Sequence, residues 1–355
     1  MRPIFARDAE MKIGTMLSYA SGFRQAADEI RELEKAGLDI VWVAEPYGFD
    51  AISQMGYLAA KTERVQIAAG VLPIYTRTPS LLAMSAAGVD ALSEGRAVLG
   101  LGTSGPQVIE GFHGVPFDAP VARIGEIIGI CRKVWRREIV VNDGPHYPLP
   151  LPEGRGTGLG KPLKILTRPV RDDIPIVIAA LAPKSVEQTA ALADGWLPVF
   201  YHPTKARDRW GKALEKGAAR RDSTRGPLEV YVGGGVGIGE GLEPLRDQAR
   251  PGIALYVGGM GARGKNFYND IFAGYGYREE AARIQDLYLS GDKRGAAEAI
   301  PTSFIEETTL IGPKSFVAER LAQYRESGVT TLNVNLVGDT LRDRLATMDG
   351  LRALL

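Results

Sequence analysis

A glycine-rich segment is the first place in this sequence where residue types and spacing predict ligand chemistry. Residues 97–105 read Ala-Val-Leu-Gly-Leu-Gly-Thr-Ser-Gly, and glycine lets backbone N–H groups approach a ligand closely. Gly100, Gly102 and Gly105 match the dinucleotide pattern G-x-G-x-x-G, which requires a first strand before the loop and a long helix after it. Three strand-like runs precede this one and Gly111 stops any long helix, so the pattern disfavours a Rossmann nucleotide loop.

A second segment, residues 179–185, joins an apolar run to a helical one and reads Ala-Ala-Leu-Ala-Pro-Lys-Ser. The free N–H groups at a helix start attract anions, and Lys184 and the Ser185 hydroxyl would help to hold a phosphate. An ordinary helix start capped by Ser185 explains the same residues equally well. A basic strip within residues 153–171 either covers a polyanionic tail or forms a solvated loop. Its members are Arg155, Lys161, Lys164, Arg168 and Arg171.

Metal and hydrolytic chemistry are poorly supported by the remaining polar residues. His113, His146 and His202 are far apart and show no paired metal-ligand spacing. No G-x-S-x-G motif occurs. A glycosidase requires two carboxylates at strand ends, where Glu45 and Glu110 are the candidates. We therefore expect no metal centre and no hydrolytic site.

Aromatic residues stand near predicted strand ends and in one long connecting segment. Such a set predicts an apolar cavity for a flat ring system, although packing alone explains any single member. The residues are Tyr19, Tyr47, Phe49, Phe112, Phe200, Tyr201, Tyr256, Phe267 and Tyr268.

These residues must be positioned by an alternation of strands and helices. Eight apolar runs alternate with segments of helical periodicity, such as the stripes Phe23–Leu33 and Leu82–Leu92. This pattern predicts parallel βα units, closed into a (β/α)8 TIM barrel or lying open as a doubly wound sheet, with closure favoured because it removes the sheet edges. The predicted strands are 12–17, 39–44, 65–71, 97–102, 175–180, 196–200, 228–234 and 331–337. In a barrel, ligands bind where the strands end, here including residues 17–19.

Two segments are longer than ordinary connections, and they predict insertions after the fourth and seventh strands. Residues 137–174 are expected to form a hairpin and loop around Asn142-Asp143-Gly144, and residues 240–312 are expected to form short helices. Residues 233–239, rich in glycine, are interpreted as a strand end with a bend. We expect one domain over residues 1–355, with the insertions serving as lids.

Composition excludes several classes of partner. The 355 residues carry 43 basic and 42 acidic side chains, a formal charge of +1, so no overall field favours nucleic acid or an anionic membrane. The single cysteine, Cys131, lies in an apolar helical stripe and excludes an internal disulfide framework. The charged N-terminus, residues 1–10, is not typical of a secretory signal, and no apolar run would span a membrane. We expect a soluble, cytoplasmic protein that binds a small molecule or another copy of itself.

Three motifs in this order resemble the bacterial-luciferase-like monooxygenase superfamily. They are Gly70-Val71-Leu72-Pro73, the stretch Leu99–Gly111 with Ser-Gly-Pro-Gln-Val-Ile-Glu-Gly, and Asp194-Gly-Trp-Leu-Pro198. More narrowly, the chain resembles the branch that uses the deazaflavin coenzyme F420, over about residues 11–337. The resemblance implies a barrel closed around a deazaflavin or flavin, in a homodimer.

Position by position, the resemblance implies a set of cofactor-binding residues. Glu45 would lie near the polar edge of the ring, and Gly70–Val71 would form a non-prolyl cis peptide behind it. Pro46 and Gly105 replace a histidine and a glutamate of the sugar-phosphate-oxidising relatives, so sugar-phosphate oxidation is not expected. The implied ring contacts also include Thr103, Ser104, Gln107 and Val108, and the implied phosphate loop comprises Ala180, Leu181, Ala182, Lys184 and Ser185.

The resulting hypothesis is hydride transfer between coenzyme F420 and an organic substrate. One alternative is an FMN-dependent monooxygenase of the same fold that uses reduced flavin and dioxygen, and another is a flavin-binding protein without turnover. Glu45, Tyr47, His113 and His202 are weak candidates for a proton donor or acceptor, each with an equally good structural explanation.

Overall fold

The computed structural model describes residues 10–17 and 22–355 of the chain. Residues 1–9 and the aromatic candidate Tyr19 lie outside the described residues, as does part of the predicted strand end 17–19.

Eight parallel strands form a closed barrel, so the predicted TIM-barrel fold is confirmed. Around the barrel the strands run β1, β2, β3, β5, β6, β7, β8 and β11, and β11 pairs with β1 to close it. The two-residue strand β4 branches off and pairs with the end of β5. The strands are β1 Lys12–Met16, β2 Ile40–Val43, β3 Gln66–Ala69, β4 Leu72–Pro73, β5 Ala97–Gly102, β6 Ile176–Ile178, β7 Gly195–Trp196, β8 Glu229–Val232 and β11 Thr331–Asn333.

Helices cover the outside of the barrel and bury their apolar stripes against it. Every residue of the predicted Cys131 stripe is buried, in the helix Pro120–Trp135. The helices are α1 Phe23–Lys35, α2 Ala51–Lys61, α3 Pro79–Leu92, α4 Pro106–Gly111, α5 Pro120–Trp135, α6 Pro183–Leu192, α7 Ala206–Ala218, α8 Arg250–Ala254, α9 Phe267–Gly274, α10 Arg278–Leu289, α11 Lys293–Glu298, α12 Thr302–Thr308, α13 Lys314–Glu326 and α14 Leu341–Arg352. Within the described ranges, no helix combines the length and apolarity that a bilayer crossing requires.

The interior of the barrel is a second, smaller apolar cluster, separate from the core between strands and helices. It is built on Trp42 and Tyr231, whose rings meet edge to face with centroids 5.0 Å apart. The other buried members are Ile40, Ala68, Val98 and Val177. These residues alternate along their strands with residues of the outer core, as the period of two requires. Trp42 is fully buried and therefore fills the middle of the barrel.

Residues 233–239 differ from their interpretation as a strand end with a bend. They contain a further strand, β9 Gly235–Ile238, in a three-stranded parallel sheet with β10 Leu310–Gly312 and β12 Asn335–Leu336. These strands are two to four residues long, which is too short for a periodic signal in the sequence. The extra sheet extends the structure beyond β8 and β11.

The two insertions differ in how far the sequence predicted them. In residues 137–174 the predicted hairpin is reduced to one antiparallel bridge, Asn142–Leu149, and the rest is irregular. Tyr147 from this segment donates a hydrogen bond of 3.4 Å to the Ile74 carbonyl, so the segment reaches the ends of the strands. The short helices predicted for 240–312 are confirmed as α8 to α12, with a 3₁₀ helix at Glu243–Ala249 and a π-helix at Leu255–Gly259.

Helix α3 departs from the predicted stripe at its last member. Leu82, Ala86 and Val89 are buried, but Leu92 is 67% exposed. The outward side of the helix also carries exposed Leu81 and Met84. The helix is thus apolar all round, which hides the buried side from a pattern-based reading.

Candidate functional site

The four turns singled out in the sequence lie together at one end of the barrel. Glu45, Gly70–Val71, Thr103 and Leu181 follow strands β2, β3, β5 and β6, which are successive neighbours in the barrel. Because all these strands run parallel, their carboxyl ends meet at the same mouth. We call this mouth the strand-end face.

Gly70–Val71 is a non-prolyl cis peptide bond, as the resemblance implies. A Cβ atom on Gly70 would lie 3.1 Å from the Trp42 Cβ and 3.3 Å from the Met16 Cε. The backbone therefore lies close against Trp42, and a side chain at position 70 would require the neighbouring side chains to shift by a few tenths of an ångström.

Two glycines of the opening motif also accommodate this same backbone, a role that the sequence did not reveal. A Cβ on Gly100 would collide with the Ala69 carbonyl oxygen, and one on Gly102 would collide with the Val71 side chain. Strand β5 thus needs glycine at position 100 for the 69–71 segment to lie against it, and a side chain at position 102 would displace that of Val71. Sequence spacing cannot reveal this, since the contact joins residues about 30 positions apart.

Glu45 is held by a residue that sequence reasoning missed, Arg77. Arg77 donates two hydrogen bonds to the Glu45 carboxylate, one of them 2.8 Å from Nη2 to Oε2, and the Ala51 backbone N–H donates a third of 2.8 Å. Both side chains are largely buried. The hydrogen bond to Glu45 raises the pKa of Arg77 above its ordinary value. Glu45 therefore joins two loops of the strand-end face as an ion-paired acceptor of three hydrogen bonds.

The loop after β5 presents its predicted contact residues at the surface of the mouth. Ser104 has a positive φ of 56° and is exposed, and Thr103 donates to the Ser104 carbonyl at 3.1 Å. Gln107 is exposed and Val108 is half-buried on the six-residue helix α4, which ends at Gly111 as predicted.

The loop after β6 ends in the uncapped N-terminus of α6. Ala182 occupies the N-cap position, and the Ser185 hydroxyl donates to the Ala182 carbonyl at 2.8 Å, so the alternative in which Ser185 caps the helix is wrong. The Ala180 and Leu181 carbonyls accept hydrogen bonds from the indole N–H groups of Trp196 and Trp210, at 2.8 and 2.9 Å. The loop is thus fixed from behind, and exposed Lys184 stands beside its uncapped N–H groups.

The described aromatic candidates divide into four groups. Tyr47 and Phe112 are exposed with ring centroids 6.1 Å apart, and Phe112 also meets His113 edge to face at 5.1 Å. Phe200 packs against Tyr256 and Tyr268, at centroid distances of 5.7 and 6.0 Å.

The contacts of Phe200 with Tyr256 and Tyr268 place the 240–312 insertion over the end of β7. Phe49 and Phe267 are exposed in isolation. Tyr201 is buried and stacks on Trp210 behind the barrel, so it is not part of the face.

His202 is enclosed in the protein, and its hydrogen bonds give it a structural role. Its side chain is fully buried, with Nε2 2.6 Å from the Glu307 Oε2 and Nδ1 3.3 Å from the Thr204 hydroxyl. Burial first, and then the nearby Lys205 ammonium, lower the pKa of His202 below 6.5. The neutral ring forms both hydrogen bonds, since Nε2 donates to the Glu307 carboxylate and Nδ1 accepts from the Thr204 hydroxyl.

The basic strip does not act as one unit. Arg155, Lys161, Lys164 and Arg168 are exposed on the 137–174 insertion. Arg171 instead forms an ion pair with the buried Asp90 and donates to the Ala97 carbonyl, at the start of β5. Because strand starts lie at the opposite end of the barrel from the strand-end face, Arg171 is excluded from any ligand site there.

The strand-end face can therefore hold a flat, partly apolar molecule. Its floor is backbone at Gly70, Val71 and Gly102, its rim carries Tyr47 and Phe112, and an uncapped helix start with Lys184 lies at one side. Backbone N–H groups and a cation suit an anionic tail, while a backbone floor suits a planar ring.

Comparison with known proteins shows the family to which the chain belongs. The family model described as luciferase-like monooxygenase matches residues 9–331. Over 332 residues the chain is 40% identical to a Mycobacterium tuberculosis protein named "Putative coenzyme F420-dependent oxidoreductase", covering 92% of this chain and 95% of that protein.

More distant relatives agree in architecture. The chain is 26% identical to the 5,10-methylenetetrahydromethanopterin reductase of Archaeoglobus fulgidus, over 85% of this chain and 86% of that one. The solved structure of the coenzyme F420-dependent tetrahydromethanopterin reductase of Methanopyrus kandleri superposes with a TM-score of 0.79 at 20% identity, covering 97% of both chains. At that identity, the superposition shows a shared fold.

Proposed function

Because the chain belongs to the luciferase-like monooxygenase family, we propose that it is an oxidoreductase that transfers a hydride between coenzyme F420 and an organic small molecule. The observation that carries this function is the 40% identity, over almost the full length of both chains, to a relative whose name states F420 dependence. The name of the archaeal reductase at 26% identity states an oxidoreductase of a small molecule. FMN is the alternative cofactor.

The residues of the strand-end face fit such a cofactor. We assign the ring to the floor around Gly70–Val71, with Glu45 at its edge, and to the loop that carries Thr103, Ser104, Gln107 and Val108. We assign the cofactor phosphate to the loop of Ala180, Leu181, Ala182, Lys184 and Ser185, because its helix start is uncapped and bears a cation. The bound deazaflavin supplies the hydride chemistry, and the chain positions the ring and excludes water.

A proton donor, where the reaction needs one, is assigned to the rim. Glu45 is paired with Arg77 and His202 is enclosed, which favours the other two of the four candidates. Tyr47 is exposed and His113 is half-buried beside Phe112. These two are the candidates that a substrate above the ring would reach.

We also propose a homodimer built on helix α3. Its outward surface carries Leu81, Met84, Gly88, Ala91 and Leu92, all exposed and none charged. Apolar helix surfaces of this kind mark protein interfaces, and an identical copy meets such a surface with the same surface under twofold symmetry. The resemblance implies the same association.

Two further assignments follow from packing. Residues 1–355 are proposed as one catalytic domain, since Val257, Phe272 and Ile284 of the second insertion belong to the same apolar core as the barrel. A cytoplasmic location is proposed because the one cysteine, Cys131, is buried and free, so the chain has no internal disulfide, which suits a reducing compartment.

The cofactor assignment is tested by titrating the purified protein with oxidised F420 and, separately, with FMN, and following the fluorescence of each. We expect saturable binding of F420. Lys184→Ala should weaken it severalfold, whereas Lys164→Ala, on the exposed basic strip, should not. Binding of FMN without F420 would reverse the choice of cofactor. Reduced F420 that stays unoxidised across a panel of ketones, enones, imines and nitro compounds would favour a non-catalytic binding protein.

A further inference from the structure

We propose that Asn333 is a ligand-binding residue whose side-chain amide donates a hydrogen bond through Nδ2 to an acceptor atom on the edge of the bound redox ring. The proposal rests on the proposed function, in that the ring occupies the strand-end face. No motif pointed to Asn333, and Trp42 is the residue that positions it.

Asn333 ends strand β11 inside the barrel. Its Cα is in register with that of Gly14 on β1, and a Cβ on Gly14 would collide with the Asn333 Oδ1. The Asn333 side chain thus occupies the interior space that Gly14 leaves empty. It is half-buried and closes the barrel at the strand-end face, where the interior meets solvent.

The orientation of the amide is fixed by chemistry. The Trp42 indole Nε1 lies 2.8 Å from the Asn333 Oδ1, and an indole nitrogen can only donate. The amide oxygen must therefore face Trp42, which leaves the NH₂ group turned away from it. Within the described residues, Asn333 Nδ2 has no hydrogen-bond partner.

Trp42 also connects this amide to the ring floor. The Trp42 Cβ supports Gly70 from below, while its indole nitrogen, at the other end of the side chain, holds Asn333. Tyr231 packs against the indole and restricts its motion. One rigid, fully buried side chain thus sets the position of both the Gly70–Val71 backbone and the Asn333 amide.

Such an arrangement suits recognition of a flavin-like ring edge. Carbonyl oxygens and unprotonated ring nitrogens accept hydrogen bonds, and a half-buried amide that is already oriented donates with little further loss of side-chain freedom. An unused donor at this position would otherwise stay paired with water. The class of ligand is therefore a planar heterocycle with acceptor atoms on its edge.

The experiment compares wild-type protein with Asn333→Asp, Asn333→Leu and the control Asn335→Asp. Asn333→Asp keeps the shape and an oxygen for Trp42, but replaces the NH₂ donor with an acceptor. Asn335→Asp adds the same charge two residues along on exposed β12. Each protein is titrated with oxidised F420, and the dissociation constant and the shift of the ring's visible absorption band on binding are recorded.

We expect Asn333→Asp to weaken F420 binding about tenfold or more and to alter the band shift, with Asn333→Leu showing the same changes. Asn335→Asp should match wild type. Wild-type affinity and band shift in both Asn333 variants would overturn the inference while leaving the proposed function intact. Wild-type protein that binds FMN and not F420 would overturn the cofactor assignment alone, and the same comparison is then made with FMN. Binding of neither ring would overturn both.

Discussion

Arg77 and Glu45 bridge two loops of the strand-end face through paired hydrogen bonds between a guanidinium and a carboxylate. Glu45 follows β2 and Arg77 precedes α3, so the pair connects the loop before α2 to the loop after β4. The Ala51 N–H, at the start of α2, donates to the same carboxylate. The pair therefore fixes the relative position of the elements on either side of the Gly70–Val71 backbone.

Removing either Arg77 or Glu45 should lower the stability of the protein, because it leaves the other charge largely buried and unpaired. We expect Arg77→Met to lower the free energy of unfolding by about 3 kcal/mol, measured by urea denaturation. The double variant Glu45→Leu/Arg77→Met should recover part of this loss, since neither charge then remains. Arg294→Met, which breaks an exposed pair with Glu298, should cost less than about 0.5 kcal/mol. Equal losses for Arg77→Met and Arg294→Met would contradict a structural role for the pair.

Gly100 should tolerate no side chain, in contrast to Gly105 in the same motif. Gly100→Ala places a Cβ against the Ala69 carbonyl oxygen, which is backbone and can move only with β3. We expect a loss of about 3 kcal/mol in unfolding free energy, together with weakened F420 binding. Gly105→Ala is the matched control, because its φ is −110° and its nearest neighbour is 3.7 Å away. If both variants unfold like wild type, the glycines are not required by this contact.

Strong periodicity made the barrel predictable, whereas the roles of single residues depended on contacts between distant parts of the chain. Runs such as 97–102 carry a clear strand pattern, and a strand occurs at each of the eight predicted runs, although β7 is only Gly195–Trp196 and shares one residue with the predicted 196–200. The three-stranded sheet was missed because its strands are two to four residues long. Leu92 was placed in the core because α3 is apolar on every side, so its pattern does not distinguish inside from outside.

The site was predictable in location but only partly in chemistry. The resemblance implied a shared site for Glu45, Gly70 and Lys184, and the structure has all three on the strand-end face, since motifs preserve loop positions. Arg77 and the proposed ligand-binding residue Asn333 were missed because each is recognisable only by its partner, Glu45 or Trp42, far away in the sequence. His202 was considered a candidate because burial cannot be read from one histidine at a strand end.

Because of His202, the free energy of unfolding should decrease more steeply as the pH falls than it would without this residue. Burial lowers its folded-state pKa below 6.5, whereas the unfolded chain keeps the ordinary value. Below about pH 6.5 the unfolded state therefore binds the additional proton, and stability decreases until the pH reaches the lowered folded-state pKa. His202→Gln should remove up to about 1.4 kcal/mol per pH unit from this slope, measured by urea denaturation between pH 7.5 and 5.5. Parallel slopes for the two proteins would show that His202 does not titrate in this way.

The surface of α3 should determine the oligomeric state. Met84 is 54% exposed at the middle of the apolar outward face, so Met84→Lys would place a charge inside the proposed dimer interface. We expect this variant to sediment as a monomer in analytical ultracentrifugation at concentrations where wild type is a dimer. Leu166→Lys, at a 94% exposed position on the 137–174 insertion, is the control and should leave the dimer unchanged. Because Met84 already contacts solvent in the single chain, Met84→Lys should not lower the unfolding free energy of the monomer, so loss of the dimer would be attributable to the interface. A wild-type protein that sediments as a monomer, or a Met84→Lys variant that remains dimeric, would rule out this face as the interface.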